Sequence, residues 1–186
     1  MSIFLDFPLR RRHPWFLSLL ASCTLASAGS AQPQKPAVLP PVTAYSLDRQ
    51  KITIPAELAG QTNLLILSFE AEQQKDVDSW LPAAQAVQHT NFQFHYYEMP
   101  VFGRENILFR WWDTSSLRSD QTDPESWHWI VPLFVDKHRF MSDLTIATDK
   151  KVVVLLVDKQ GHVLWRAIGP LTPDKRAAFL AAMSGH

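Results

Sequence analysis

One cysteine, seven histidines and an unusual supply of tryptophan limit the chemistry open to this 186-residue chain. Thiol chemistry needs a thiolate, and the single cysteine, Cys23, lies in a leader-like stretch, away from any folded region. Beyond that stretch the histidines are His89, His95, His128, His138, His162 and His186. They form no HExxH and no i,i+4 pair, so the expectation is no metal ligand set. His128 and His138 could face Asp136 or Asp143, but no G-x-S-x-G or S-x-x-K supplies a nucleophile, and no catalytic residue is assigned. Glu70 and Glu72 follow an apolar run and read as a solvated acidic loop or as the remnant of a ligand pocket. The densest cluster is aromatic: Phe109, Trp111, Trp112, Trp127 and Trp129, with Arg104, Arg110 and Arg118 around them. Trp and Arg are the types enriched at interface hot spots. Arg104, Arg110, Trp111, Trp112, Arg118, Trp127 and Trp129 are therefore a candidate partner-binding surface, with core filling as the competing reading.

Composition removes several classes. With 46% hydrophobic and 19% charged residues the chain is globular rather than disordered. Its 18 basic and 18 acidic side chains lack the basic excess of a nucleic-acid binder. The six glycines are never closer than eight residues apart, so no glycine-rich phosphate loop or dinucleotide fingerprint can be written. No cofactor is expected.

The N-terminus reads as an address. Arg10-Arg11-Arg12 precedes an apolar stretch from Trp15 to Ala28, then Gly29-Ser30-Ala31, the pattern of a secretory signal cut after Ala28 or Ala31. Leu20-Ala21-Ser22-Cys23 offers a competing lipobox, in which Cys23 carries the lipid anchor; an organellar transit peptide or an uncut anchor are further readings. In both of the first two, the folded domain has no free thiol. Losing residues 1–31 removes three arginines and Asp6, leaving 15 basic and 17 acidic residues. The organisation expected is signal peptide at 1–31, a spacer with four prolines at 32–41, and one domain at 42–184 in the periplasm or secreted.

Within that domain Leu64–Phe69 is a near-continuous apolar run, a strand covered on both faces. Val77, Trp80, Leu81, Ala84 and Val87 make one helical stripe over 76–88, in which Pro82 should kink the helix or delay its start. Phe92, Phe94 and Tyr96 alternate with polar neighbours, a strand buried mainly on one side. A helix is expected at 104–118, with an exposed loop at 119–126 and Trp127 and Trp129 sharing a face if that segment is extended. Val131–Val135 reads as a short strand or, given Pro132, an extended edge segment. Val152–Val157 reads as the central strand, turning through Asp158–Gly161 into a hairpin partner at 162–168. Thr172 and Pro173 start a closing helix with Phe179, Leu180 and Met183 inward. The order is that of a thioredoxin-like α/β fold: a central mixed sheet flanked by helices, with a helical, aromatic insertion.

The segment Ile52–Gly60 followed by Asn63–Phe69 resembles the start of a peroxiredoxin or cytochrome-maturation thioredoxin-like domain. Those families carry CxxC just after the strand, near Gln74 and Val77 here, and a cis-proline before the later strand, where this chain has Asp149-Lys150-Lys151. Both features are missing. Leu156-Val157-Asp158-Lys-Gln-Gly161-His-Val-Leu-Trp165-Arg166-Ala-Ile-Gly169, followed by Thr172-Pro173, resembles the C-terminal signature of the ATP synthase assembly factor ten family. Ser79-Trp80-Leu81, Arg104-Glu105-Asn106 and Arg118 match more loosely, and that family's asparagine is unmatched at Ile146–Asp149. The signature positions are Asp158, Trp165 and Gly169. The resemblance implies a redox-inactive thioredoxin-like protein of the cell envelope that binds a protein partner, by analogy a membrane complex. The alternative is an enzyme of non-thiol activity acting through the 70–76 loop or the histidines.

Overall fold

The run Thr62-Asn-Leu-Leu-Ile-Leu-Ser68 is a strand (β3) whose alternate side chains are buried on opposite faces. A strand so covered must lie inside a sheet. The computed structural model describes residues 37–104 and 124–184. Ahead of β3, strands β1 (Val42–Tyr45) and β2 (Lys51–Ile54) form a separate antiparallel hairpin with Val42 opposite Ile54. After it come helix α1 (Gln74–Thr90), β4 (Phe94–Gly103), β5 (Leu133–Val135), α2 (Lys137–Asp143), β6 (Val153–Asp158), β7 (Val163–Ile168) and α3 (Pro173–Ser184). The main sheet has the order β5-β4-β3-β6-β7. β3–β4 and β4–β5 are parallel; β6 is antiparallel to β3 and β7. The expected 152–157 strand is thus interior and paired with the 162–168 segment, while the middle position belongs to β3.

Period-two alternation divides the core. Leu65, Leu67, Tyr97, Met99, Leu133 and Leu155 face the side closed by Leu58, Phe140 and Leu144. Leu64, Ile66, Phe94, Val154 and Leu156 face Val77, Trp80 and Ala84 of α1 and Phe179 of α3.

Four expectations are corrected. α1 begins at Gln74 and runs through Pro82 without a later start. Proline lacks the N–H that Asp78's carbonyl would accept, but the preceding turn is tied to the rest of the fold. The Ser79 hydroxyl donates to the Asp76 carbonyl (2.6 Å) and accepts from the Leu171 N–H (2.9 Å), and Trp80 Nε1 donates to the Gly169 carbonyl (3.0 Å). β4 starts at Phe94 and is buried on both faces; Phe92 is 87% exposed in the turn before it. In α3 Phe179 is buried but Leu180 is exposed. Leu39, inside the expected spacer, is buried, its N–H bonded to the Gly161 carbonyl (2.8 Å), so packed chain reaches back to Ala37.

Gly60 sits where backbones converge. A Cβ there would lie 2.5 Å from the Thr62 carbonyl oxygen, 2.7 Å from that of Gln93 and 2.9 Å from the His95 nitrogen. None of these can swing away, so Gly60→Ala is expected to destabilise by about 1–3 kcal/mol, read as a lowered urea midpoint at unchanged slope.

Candidate functional site

Where β3 gives way to α1, the chain turns through Ala71–Gln73 in a short 3₁₀ turn. Gln73 is buried, which is unusual for its type. Its side chain accepts from the Phe69 N–H (2.9 Å) and donates to the Asp149 carbonyl (2.7 Å). It joins the end of β3 to the loop before β6, and Gln73 has no thiol to offer. Two ion pairs flank this tie: Lys150–Glu70 at 2.5 Å and Lys137–Asp149 at 2.8 Å. The Lys137 hydrogen bond and charge hold the Asp149 carboxyl below the usual range, and the Glu70 hydrogen bond raises Lys150. Lys137 also lies 5.6 Å from the centre of the Phe69 ring. Among the described residues the cis peptide bond is Ile54–Pro55, not in the 149–151 loop. Within the acidic loop, Glu70 is thus paired with Lys150, while Glu72 is exposed.

Behind the first turn of α1 lies a residue that sequence reasoning passed over. Glu98 follows Phe94 and Tyr96 at period two, a carboxylate in line with buried aromatics, and it is 8% exposed. That spacing was the available signal. Burial pushes its carboxyl up to about 7, opposed by a hydrogen bond from the Gln74 side chain and reinforced by the charge of Asp78.

The aromatic candidates divide. Arg110, Trp111, Trp112 and Arg118 lie outside the described residues. Arg104 is exposed and lines a cleft of about 240 Å³ with Pro41, Val42, Val135, Arg139 and Phe140. Trp127 and Trp129 do not lie on an extended segment: Pro124–Trp129 is a 3₁₀ turn, a correction that removes the shared face. Trp129 is half-buried against the core, with its ring 4.9 Å from His95 and 5.8 Å from Tyr97, and exposed His128 lies on it at 4.3 Å. Trp127 is also half-buried, and its carbonyl accepts from the Leu47 N–H (3.1 Å). Burial, then the charge of Lys159, lowers the His95 pKa and favours its neutral form.

The histidine–carboxylate pairing considered from the sequence does not form around Asp136 and Asp143. Asp136 caps α2 by accepting from the Arg139 N–H (3.0 Å), and Asp143 faces Arg139 at 3.9 Å. Among the described residues no group of three or more His, Cys, Asp or Glu is placed to hold a metal ion.

The three signature positions have local structural tasks. Asp158 accepts the N–H groups of Gln160 (2.9 Å) and His162 (2.8 Å) and meets His162 Nδ1 at 2.8 Å, closing the hairpin turn. Burial alone would raise its pKa, but these hydrogen bonds hold it low. Trp165 packs edge-on to Trp80 (6.1 Å) and against Phe179 (5.9 Å). Gly169 adopts φ +78°, where a side chain is disfavoured, and presents its carbonyl to Trp80.

No known protein family matches the chain, and no curated protein does. Solved structures do. BsSco, a member of the Sco family of cytochrome c oxidase assembly proteins, aligns with TM-score 0.55 at 14% identity over 81% of this chain and 97% of its own. A thiol:disulfide interchange protein from Bacteroides sp. gives 0.55 at 17% over 80% and 89%. Yeast Sco1 with copper bound gives 0.54 at 11% over 82% and 96%. These likenesses show a thioredoxin-like fold, and at such identity they show the fold alone.

Proposed function

We propose that this protein is a redox-inactive thioredoxin-like binding or assembly module of the cell envelope. The observation that carries the reading is Gln73: the end of β3 and the loop before β6 are joined by a carboxamide. The chain's one cysteine, Cys23, belongs to the stretch read as a signal peptide at 1–31 or as a lipidation site. Export to the periplasm or beyond follows from that stretch, with the domain running from the spacer to residue 184. Among the described residues no helix is long and apolar enough to cross a membrane. The partner is a protein, and the resemblance to the ATP synthase assembly factor ten family makes a membrane complex the first candidate. The binding surface is the stretch from Arg104 to Trp129, with Arg104, Arg110, Trp111, Trp112, Arg118 and Trp127 as contacts, while Trp129 itself packs on the core.

Two measurements test this. Protein beginning at Gln32 should match buffer alone in dithiol-driven insulin reduction; robust turnover would refute the redox-inactive reading. Affinity capture from native membranes should lose its partner on Trp112→Ala or Arg104→Ala while the melting temperature holds, a hot-spot loss of about 2 kcal/mol or more in binding. Trp129→Ala should instead lower the melting temperature, since its ring lies on Tyr97 and His95. Undiminished capture by all three variants would place the surface elsewhere.

A further inference from the structure

Phe92 is 87% exposed, whereas Ile168, the next large apolar side chain in that order among the described residues, is 47% exposed. The turn that carries Phe92 is tied on both sides. The Asn91 N–H donates to the Val87 carbonyl (2.9 Å), the Phe94 N–H to the Asn91 carbonyl (3.1 Å) and the Thr62 N–H to the Gln93 carbonyl (3.2 Å). The Asn91 side chain accepts from the Gln93 N–H (3.0 Å). The backbone therefore presents the ring at a fixed tip, where the core gains nothing from it. Strand register shows what shares this end of the sheet. Thr62 pairs with both Phe94 and Asp158, so the starts of β3 and β4 lie level with the 158–161 turn. Packed chain enters here as well: the Val163 N–H donates to the Ala37 carbonyl (2.9 Å), and Val38, 41% exposed, bridges to His162.

The charges divide along the same axis. Exposed polar side chains around this end include Gln61, His89, Thr90, Gln93, Gln160 and His162. Two carboxylates lie near, and both are engaged: half-buried Asp158 accepts the Gln160 and His162 N–H groups, and exposed Glu57 accepts the Thr53 N–H. Glu70, Glu72, Asp136 and Asp149 stand at the opposite ends of the strands. We propose that the Phe92 end of the domain rests on a lipid bilayer, with the ring set into the boundary between headgroups and acyl chains. This rests on the reading in which the leader stays in the membrane, through a lipid on Cys23 or as an uncut anchor. From Cys23, residues 24–36 can span at most about 45 Å, so the Ala37 end is the part of the domain held nearest the bilayer. An apolar ring gains from burial at the acyl boundary, and an anionic surface repels carboxylates. One such contact is too weak to anchor a protein alone, but it orients a domain already tethered. It turns the Arg104 and Glu70 end outward, toward a partner.

The test is photo-crosslinking. The full chain, leader included, is produced in bacteria with p-benzoylphenylalanine in place of Phe92 or, at the opposite end, of exposed Glu72. Irradiated membranes are then analysed by mass spectrometry for phospholipid adducts. The yield at position 92 should exceed that at 72 by about tenfold or more, the preference of an aromatic ring for hydrocarbon over water. Equal yields, or protein adducts alone at 92, in membrane-held chain overturn the contact and leave the tether standing. Chain found only outside the membrane fraction and beginning at Gly29 or Gln32 refutes the tether, and the contact with it. Neither result touches the Arg104–Trp129 surface, which the capture experiment decides.

Discussion

Truncating Trp80 to alanine is expected to cost about 3–5 kcal/mol of folding free energy, a melting-temperature loss of about 10 °C or more. The indole is fully buried in α1 and meets two other parts of the fold directly. Its ring stands edge-on to Trp165 of β7, which in turn packs on Phe179 of α3. Its N–H holds the Gly169 carbonyl at the turn between β7 and α3. Alanine would leave a cavity and strand that carbonyl as well. Trp80→Phe separates the two effects, because phenylalanine keeps most of the apolar volume but cannot donate. Its cost should be nearer the 1–3 kcal/mol of an unsatisfied buried group. Denaturant titrations of the three proteins check this, and a Trp80→Ala variant within 1 kcal/mol of wild type would contradict the packing described.

Trp80 also shows what was legible before the structure. It stood in a clean helical stripe, and Leu64–Phe69 and Val152–Val157 were apolar runs too long and too uniform for exposed strands. Asp158-Lys-Gln-Gly161 read as a turn because aspartate can bond its neighbours' N–H groups and glycine accepts positive φ; Gly161 has φ +85°. Such features depend on residues close in sequence. A later helix start at Pro82 is not found, since that expectation weighed a local penalty without the distant ties of Ser79 and Trp80 to residues 169–171. Phe92 misled because alternation continues through a turn as easily as along a strand.

The candidate site was harder to read for the same reason. Gln73 has no local pattern that marks it; its partner Asp149 is 76 residues away. Missing cysteines near Gln74 and Val77 could be counted, but not what joined the two loops. Glu98 was visible as a polar interruption in Phe94-x-Tyr96-x-Glu98, yet its environment depends on Asp78 and Gln74 arriving from another element. The signature residues Asp158, Trp165 and Gly169 drew the family resemblance, while their contacts are those of a turn and a core. A pattern that any well-made hairpin and closing helix would need identifies a scaffold more readily than a task.

Gln73 offers the sharper experiment at the end of the sheet where α1 begins. Gln73→Ala removes both an acceptor for the Phe69 N–H and a donor to the Asp149 carbonyl, at a cost of about 1–3 kcal/mol for each group left buried without a partner. Gln73→Glu is more informative because it keeps the acceptor and makes the donor depend on a proton. A neutral glutamic acid can bond the Asp149 carbonyl, whereas a carboxylate has nothing to donate. Burial then holds the new group's pKa above that of the unfolded chain. Its stabilisation is present at low pH and is lost as pH rises through the folded pKa. Relative to wild type, Gln73→Glu should be nearly as stable at pH 4.5 and weaker by about 1–3 kcal/mol at pH 8, read from urea midpoints at each pH. Lys150→Ala, which breaks the exposed pair with Glu70, should leave the melting temperature unchanged. An equal deficit for Gln73→Glu at both pH values would mean that the Asp149 bond does not matter. A deficit confined to high pH would show that a single carboxamide joins the two loops, the task that Gln73 performs between β3 and β6.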